Sequence, residues 1–343
     1  MMRIGLVIDS LSLQHATGIA RYSQKLLHGL KDEGIDVQPI LIDNNGSTPN
    51  HVTKHVTLAS HVLKNISKVD VVHATSPMVA FSFPFISIPK ILTYHDLISV
   101  VSSNHSSFWA PVIYRAFGGC CDRAIAVSSQ TRCELIQHLN MAHDKVDVIN
   151  LGVDDKFVPH SCRNERHYTI GYLGALVPRK GVDFLERSIS IFKQLYPNVD
   201  LYLDIYGKKN SYYNELSQLS KDLGIDMITS FKGFVQDDAI VDVYNSFDIF
   251  VFPSEWEGFG IPILEAQRCG LPVVIRADAN IPPEVSKCCI KATDEYDMAN
   301  KIYSVIKDEM FRRQSIQNGL SYSKSFTWEK MVKETIHVYE EVY

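Results

Sequence analysis

Residues Glu255 to Ala266 read EWEGFGIPILEA, after the apolar run Ile249 to Phe252 and the pair Pro253-Ser254. The order predicts a strand, a glycine-bearing turn and a helix with Pro262 in its first turn, where proline's missing N–H leaves no bond unmade. Such a turn aims backbone N–H groups and the positive end of a helix at whatever lies above it. Gly258 and Gly260 permit tight turning and close backbone approach. Glu257 lies at the mouth and Glu265 in the first turns of the helix, with seven residues between them, so that both face one ligand. Ionised carboxylates accept strongly from hydroxyls, which suits one to a sugar and the other to a ribose. An ordinary strand–helix connection with surface glutamates accounts for a lone Glu pair but not for the whole string.

The string closely resembles the E-x7-E signature of retaining glycosyltransferases of the GT-B type, a large family that includes bacterial mannosyl- and glucosyltransferases. The resemblance extends over most of the chain. It implies an α/β fold of two Rossmann-like, doubly wound parallel-sheet domains facing a central cleft. An acceptor domain would span 1–155 and a nucleotide-sugar donor domain 168–323, with a C-terminal helix over 327–343 packing back on the first.

Composition agrees with a two-domain globular chain: 343 residues, 45% hydrophobic and 21% charged. The net charge of -5 gives no basic excess pointing to nucleic acid, and leaves open a local membrane-docking patch. Seven cysteines, with no C-x-x-C pair, argue against a disulfide framework or a structural zinc site and for a reducing cytosol. No signal peptide and no membrane-spanning run is expected. His51, His55 and His61 lack supporting ligands and read as a solvated face rather than a metal site.

From the N-terminus, Arg3 to Asp9 predicts a strand, Gly18 to about Leu30 a helix, and Val37 to Ile42 the next strand. The helix carries Ile19, Tyr22, Leu26, Leu27 and Leu30 at helical spacing. This βαβ start predicts a parallel sheet that binds ligands at the carboxyl ends of its strands. Gly18 sits at such an end, either as a turn needing positive φ or, as the resemblance implies, in a loop reaching the donor phosphates or the acceptor. Its context is not G-x-G-x-x-G, which weighs against a dehydrogenase. Strands are also expected at Asp70 to His73, Lys90 to Tyr94, Arg123 to Val127 and Val146 to Ile149, with Ser128 or Ser129 capping a helix through Leu139. His95 lies just beyond a buried strand, hence in the ligand crevice. The resemblance places it near the reacting carbon of the donor sugar, while a hydrogen-bonded structural role is the plainer reading. Asp96 either orients His95 or caps the next segment. The aromatic stretches Phe81 to Ile88 and Phe108 to Phe117 suit core, acceptor groove or a membrane-facing patch, with core the default. NLGVD over Asn150 to Asp154 matches the family's interdomain passage, and the aperiodic Asp155 to His167 predicts the linker.

The second half starts with a strand at Tyr168, the turn ALVPRKG and a helix with Val182, Leu185, Ile189, Phe192 and Leu195 on one side. Arg179 and Lys180 at that helix's N-terminus form an anion site suited to a diphosphate, against the plainer reading of a solvated basic turn. The family often has Arg after the first glycine of this turn. That position is Ala175 here, and Arg179 is expected to supply the guanidinium. Strands Val199 to Tyr206 and Ile228 to Lys232 end at Gly207 and at Gly233-Phe234-Val235, which in the family flank the nucleobase. Strands at Pro272 to Arg276 and Cys288 to Ile290 and helices at Ala239 to Ser246, Tyr296 to Lys307, Glu309 to Ser323 and Thr327 to Tyr343 complete the expectation.

These readings describe a cytoplasmic retaining glycosyltransferase with a nucleotide-sugar donor and a glycan or lipid-linked acceptor, with peripheral membrane association left open. The strings GIARY, TYHD, VPRKG and SEWEGFGIPILEA resemble GDP-mannose users, with UDP sugars the alternative donors. His95, Glu257, Arg179 and Lys180 are the candidate catalytic residues. Gly18, Gly207, Phe234, Val235, Phe259, Gly260, Ile261 and Glu265 are the candidate donor-binding residues. Arg179, Lys180 and helix N-termini would meet the charge of the leaving diphosphate with no cofactor and no metal, and no Asp-x-Asp stands beside a strand end. Front-face transfer and a covalent intermediate both remain open. A sugar-nucleotide epimerase or hydrolase, and a non-catalytic nucleotide-sugar or glycan-binding module, are the other readings.

Overall fold

Short apolar runs buried on both faces belong to parallel sheets held between helices. The computed structural model has this character: Val71–Ala74 and Ile249–Phe252 are buried throughout, and Lys90–Tyr94 at all but its first residue. It describes residues 2–8, 18–41, 59–101, 112, 114, 116, 118–160 and 167–343. The chain divides into two compact units, Met1–Gly152 with Phe326–Tyr343, and Val153–Ser325.

Among the described residues the first unit holds one six-stranded parallel sheet. In chain order its elements are β1 (Arg3–Ile8), α1 (Gly18–Asp32), β2 (Asp36–Leu41), β3 (Val71–Ala74), β4 (Lys90–Tyr94), β5 (Arg123–Ala126), α2 (Ser129–Leu139) and β6 (Val146–Val148). The strand order is β2-β1-β3-β4-β5-β6. Ser128 caps α2 by accepting from the Thr131 N–H at 3.1 Å. Phe83 and Ile86 of the aromatic stretch enter the core, whereas Phe85 is 72% exposed.

The second unit also holds a six-stranded parallel sheet. Its elements are β7 (Tyr168–Leu173), α3 (Val182–Leu195), β8 (Leu201–Tyr206), α4 (Ser211–Asp222), β9 (Thr229–Gly233), α5 (Ile240–Asn245), β10 (Ile249–Phe252), α6 (Ile261–Arg268), β11 (Val273–Arg276), β12 (Ile290–Ala292), α7 (Glu295–Lys307) and α8 (Glu309–Ser323). The order is β12-β11-β10-β7-β8-β9. Strand order therefore reverses between β7 and β10, and open α/β sheets bind ligands in the crevice outside the strand ends at such a point.

The last helix, α9 (Trp328–Val342), belongs to the first unit. Thr327 caps it, accepting from the Lys330 N–H at 3.1 Å. Its buried side carries Met331, Val332, Thr335, Val338 and Tyr339. It packs closely on α1: a Cβ at Gly29 would lie 2.5 Å from a Val332 methyl.

Three expectations shift. Asp155 to His160, the first part of the expected linker, is fastened to the second unit. Lys156 pairs with Asp237 at 2.6 Å, the His160 N–H donates to Asn245 Oδ1 at 2.7 Å, and the buried Phe157 ring meets Tyr244 edge-on. The last strand begins at Ile290 rather than Cys288, because a turn from the Cys289 N–H to the Ser286 carbonyl holds the preceding residues. Leu195, at the end of α3, is 37% exposed. The described cysteines are free thiols. Among the described residues no helix is long and apolar enough to cross a membrane, and no cluster of His, Cys, Asp or Glu could hold a metal ion. His51, His55, Cys162, residues 161–166 of the expected linker and most of Phe108 to Phe117 lie outside the described residues.

One buried acid generates a test. Glu186 on α3 is 0% exposed and accepts from the Ser220 hydroxyl of α4. Burial pushes its carboxyl up to about 8, partly offset by that hydrogen bond. A raised acid favours the folded state fully only below its unfolded value of about 4.3, and that stability is lost as pH rises from there through the folded value. Glu186→Gln, which keeps the volume and an acceptor, is expected to raise the melting temperature by several degrees above pH 8 and much less under mildly acidic conditions. Equal changes at both ends would show that this group does not titrate as described.

Candidate active site

β7 and β10 end side by side at the reversal point, and the turns that follow them interlock. After β7 comes the single tight turn Pro178–Lys180, and Gly181 then adopts φ 64°. A Cβ at Gly181 would also lie 2.3 Å from the Pro253 carbonyl oxygen, so only glycine lets this turn rest on the β10 loop. The Glu255 N–H donates to the Arg179 carbonyl at 2.9 Å and joins the two loops. Arg179 Nη1 donates to the Trp256 carbonyl at 3.0 Å and stands 4.0 Å from Glu257 Oε1. Lys180 Nζ forms an ion pair with Glu257 and sits 5.1 Å from the centre of the Phe252 ring.

The far side of the β10 loop is pinned too. The Glu257 N–H donates to the Asn280 carbonyl at 3.0 Å, and the Asn280 N–H to the Glu255 carbonyl at 2.7 Å. Gly260, at φ 99°, then turns the chain into α6 with Pro262 in its first turn. Phe259 and Ile261 are buried beside it. Neither N-cap glycine offers a capping side chain, so α3 presents uncapped N–H groups and a positive end; at α6, where Pro262 has no N–H and the Ile263 N–H donates to the Gly260 carbonyl at 3.0 Å, the Ile261 N–H is the one that faces outward.

Glu257 and Glu265 acquire different neighbours. Glu257 is 9% exposed and faces two cations. Glu265 is 2% exposed, and its Oε2 accepts from the Tyr244 hydroxyl of α5 at 2.8 Å. Burial, then the Glu265 carboxylate, push the Cys269 thiol up to about 12. Ala175, where the family's arginine is missing, is exposed, and its carbonyl accepts from Tyr172 at 2.9 Å.

The ends of β7, β8 and β9 are stitched together. The Gly174 N–H donates to the Tyr206 carbonyl at 3.0 Å and the Gly207 N–H to the Gly233 carbonyl at 2.9 Å. Phe234 follows with its ring 57% exposed, and Val235 is half-buried. An exposed ring at a strand end offers a flat stacking face.

His95 and Gly18 lie in the first unit. His95 Nε2 is 3.0 Å from the Thr75 carbonyl oxygen. A carbonyl only accepts, so Nε2 carries the hydrogen. Burial pushes the imidazole down to about 4, which leaves it neutral near pH 7 with a lone pair on Nδ1. Asp96 caps, accepting from the Ile98 N–H at 3.2 Å. Gly18 is an exposed first residue of α1 without positive φ, and a Cβ there would meet open space, so a turn requirement does not explain it. The second unit holds the remaining candidates and brings Arg179, Lys180 and Glu257 into contact. Asn280 and Tyr244, which brace the two glutamates, carry no local sequence signal.

Comparison with known proteins agrees with this fold. Residues 154–322 match the family model described as glycosyl transferases group 1, and residues 16–157 match glycosyltransferase family 4. The O-antigen chain mannosyltransferase B of Escherichia coli is 26% identical over 270 residues, covering 73% of this chain and 70% of that one. Sucrose-phosphate synthase of Thermosynechococcus elongatus superposes with a TM-score of 0.83 at 17% identity over 99% of both chains. HepE of Anabaena, solved in complex with UDP and glucose, superposes with a TM-score of 0.77 at 19% identity over 99% of this chain and 100% of that one.

The Gly181 contact makes its own prediction. Gly181→Ala forces a side chain into a left-handed backbone, which costs about 1–3 kcal/mol, and also drives it against Pro253. Thermal unfolding is expected to show a clear drop in melting temperature; an unchanged one would mean that the turn is not held as described.

Proposed function

Because this chain belongs to the group 1 glycosyltransferases and has the GT-B fold, we propose that it moves mannose from GDP-mannose to a glycan or lipid-linked glycan with retention of configuration. One observation carries the donor site: Arg179 and Lys180 converge on Glu257 beside two uncapped helix starts. Similarity to the O-antigen mannosyltransferase supports mannose. A UDP sugar is the second reading, favoured by the likeness in fold to HepE, which was solved with UDP and glucose.

In this reading the donor diphosphate lies against Arg179, Lys180 and the backbone N–H groups of Phe259, Gly260 and Ile261. As the glycosidic carbon separates from the phosphate oxygen, charge grows on the leaving group. Donors already fixed around it lower the barrier without reorganising. Glu257 accepts from hydroxyls of the sugar, and Glu265 from those of the ribose. Phe234 stacks on the base, with the backbone at Val235 reading its edge and Gly207 giving room beside it. His95 accepts a sugar hydroxyl through Nδ1, and Gly18 leaves space for phosphate or acceptor.

Both motif carboxylates are engaged, one by a cation and one by a phenol. That favours hydrogen-bond acceptance over nucleophilic attack. We therefore assign front-face displacement: the acceptor hydroxyl attacks on the face the diphosphate leaves, and the departing phosphate oxygen takes its proton. The reading requires no metal, and places the enzyme in the cytoplasm, with peripheral contact where its acceptor is lipid-linked.

Binding of GDP, UDP and ADP sugars, followed by turnover with EDTA present, tests the donor. GDP-mannose is expected to bind tightest, and transfer to continue under chelation. Preference for a UDP sugar would overturn the donor assignment, and activity restored only by magnesium or manganese would overturn the metal-free one.

The two glutamates should separate kinetically. Contact with ribose is nearly equal in ground and transition states, so Glu265→Gln is expected to raise donor KM more than it lowers kcat. Glu257→Gln acts where charge develops and is expected to lower kcat roughly a hundredfold, the scale of one lost transition-state contact. Loss of nucleotide affinity in Glu257→Gln but not in Glu265→Gln would reverse the assignment.

A further inference from the structure

Four polar side chains cross the buried layer between the first sheet and helices α1 and α9. Tyr22 of α1 places its hydroxyl 2.9 Å from Thr93 Oγ1 on β4. The same Thr93 oxygen lies 2.8 Å from His73 Nε2 on β3, and His73 Nδ1 lies 2.6 Å from the Tyr339 hydroxyl on α9. None of the four is more than 1% exposed. Polar groups are costly in such a layer unless every one is satisfied, and a satisfied network fixes one arrangement.

The chain ends on the candidate active site. The Tyr22 ring stands edge-on to the His95 imidazole, with centroids 4.9 Å apart and planes at 78°. Together with the Thr75 carbonyl it fixes the plane in which the His95 Nδ1 lone pair points.

We infer that Tyr22, Thr93, His73 and Tyr339 form a buried hydrogen-bonded strut that positions the His95 imidazole, and that this orientation depends on the seating of α9. The inference rests on the proposed role of His95 at the donor sugar. Its physical basis is the unbroken run of hydrogen bonds across the layer. Burial, and then the neighbouring His95, push His73 down to about 3, so its ring is neutral and carries one N–H. If that hydrogen is on Nδ1, it points to Tyr339, Thr93 donates to Nε2, and Tyr22 donates to Thr93. If it is on Nε2, every bond runs the other way. Either order completes all three hydrogen bonds, since a hydroxyl oxygen can accept twice. Removing the Tyr339 hydroxyl unpairs His73 Nδ1, so the hydrogen settles on Nε2, where Thr93 still accepts it, and the ring is held at one nitrogen only. The His73 ring, and with it the Thr93 and Tyr22 hydroxyls, loses its tie to α9, and the ring beside His95 is held less firmly. The four residues are positioning residues, since none is placed against the substrate.

The test uses the full-length protein with Tyr339→Phe, and with Tyr22→Phe should the first variant fold poorly. Each removes one hydroxyl and keeps the ring. Nitrogen NMR of labelled histidine is expected to show the His95 imidazole signal displaced in either variant. With donor saturating, kcat is expected to fall roughly tenfold, below the ~100-fold that a 1 Å misplacement can cost, with donor KM little changed. The same substitution made on a His95→Ala background should give almost no further loss, because there is no imidazole left to misalign. A His95 signal unmoved in a folded variant, or an equal fold-loss with and without His95, overturns the inference. A protein that turns over no nucleotide sugar would sink the proposed function instead, and the imidazole spectrum would still decide this point.

Discussion

The ion pair between Lys180 and Glu257 closes the contact on which the candidate site of the second unit depends. It joins the turn after β7 to the turn after β10, where the order of strands reverses. Side-chain exposures of 12% and 11% put the pair largely out of water. Desolvation at such sites offsets much of the Coulomb gain, so the pair does little for net stability as a unit, although removing one partner can cost about 3–5 kcal/mol by stranding the other. Its value lies in place rather than strength. A carboxylate and two cations are held within reach of one another before any ligand arrives.

The surrounding contacts serve that arrangement. Gly181 admits the close approach to Pro253, the Glu255 N–H clips the two turns together, and Asn280 holds the outer side of the loop. Each uses backbone, and none depends on a long side chain finding its rotamer. The start of α3, with no capping side chain, is the corresponding cost: N–H groups that a Ser or Asp would satisfy elsewhere stay available for an anion.

The first unit solves its problem differently. Its sheet could have been covered by apolar helices alone, as Met331, Val332, Leu26 and Leu30 cover part of it. Instead a line of hydroxyls and one imidazole runs through the layer from α9 to the residue beside His95. Directional bonds fix orientation where packing fixes only distance. A helix distant in sequence can thus bear on the plane of a single ring.

Much of this was legible in the sequence. Buried runs such as IFVF and ILTY marked parallel strands, glycines and Pro262 marked the turns, and EWEGFGIPILEA with PRKG marked the candidate site, because each signal is local. The tertiary structure alone decided the rest. It assigned Lys180 to Glu257 and Tyr244 to Glu265, residues 77 and 21 positions apart, since strand order and not chain order makes them neighbours. It also turned Tyr22 and Tyr339 from apolar positions on two amphipathic helices into the ends of one polar chain. A helical period reports which side of a helix is buried; which hydroxyl meets which acceptor depends on the partner across the core, and that is set only when the sheet and both helices have packed.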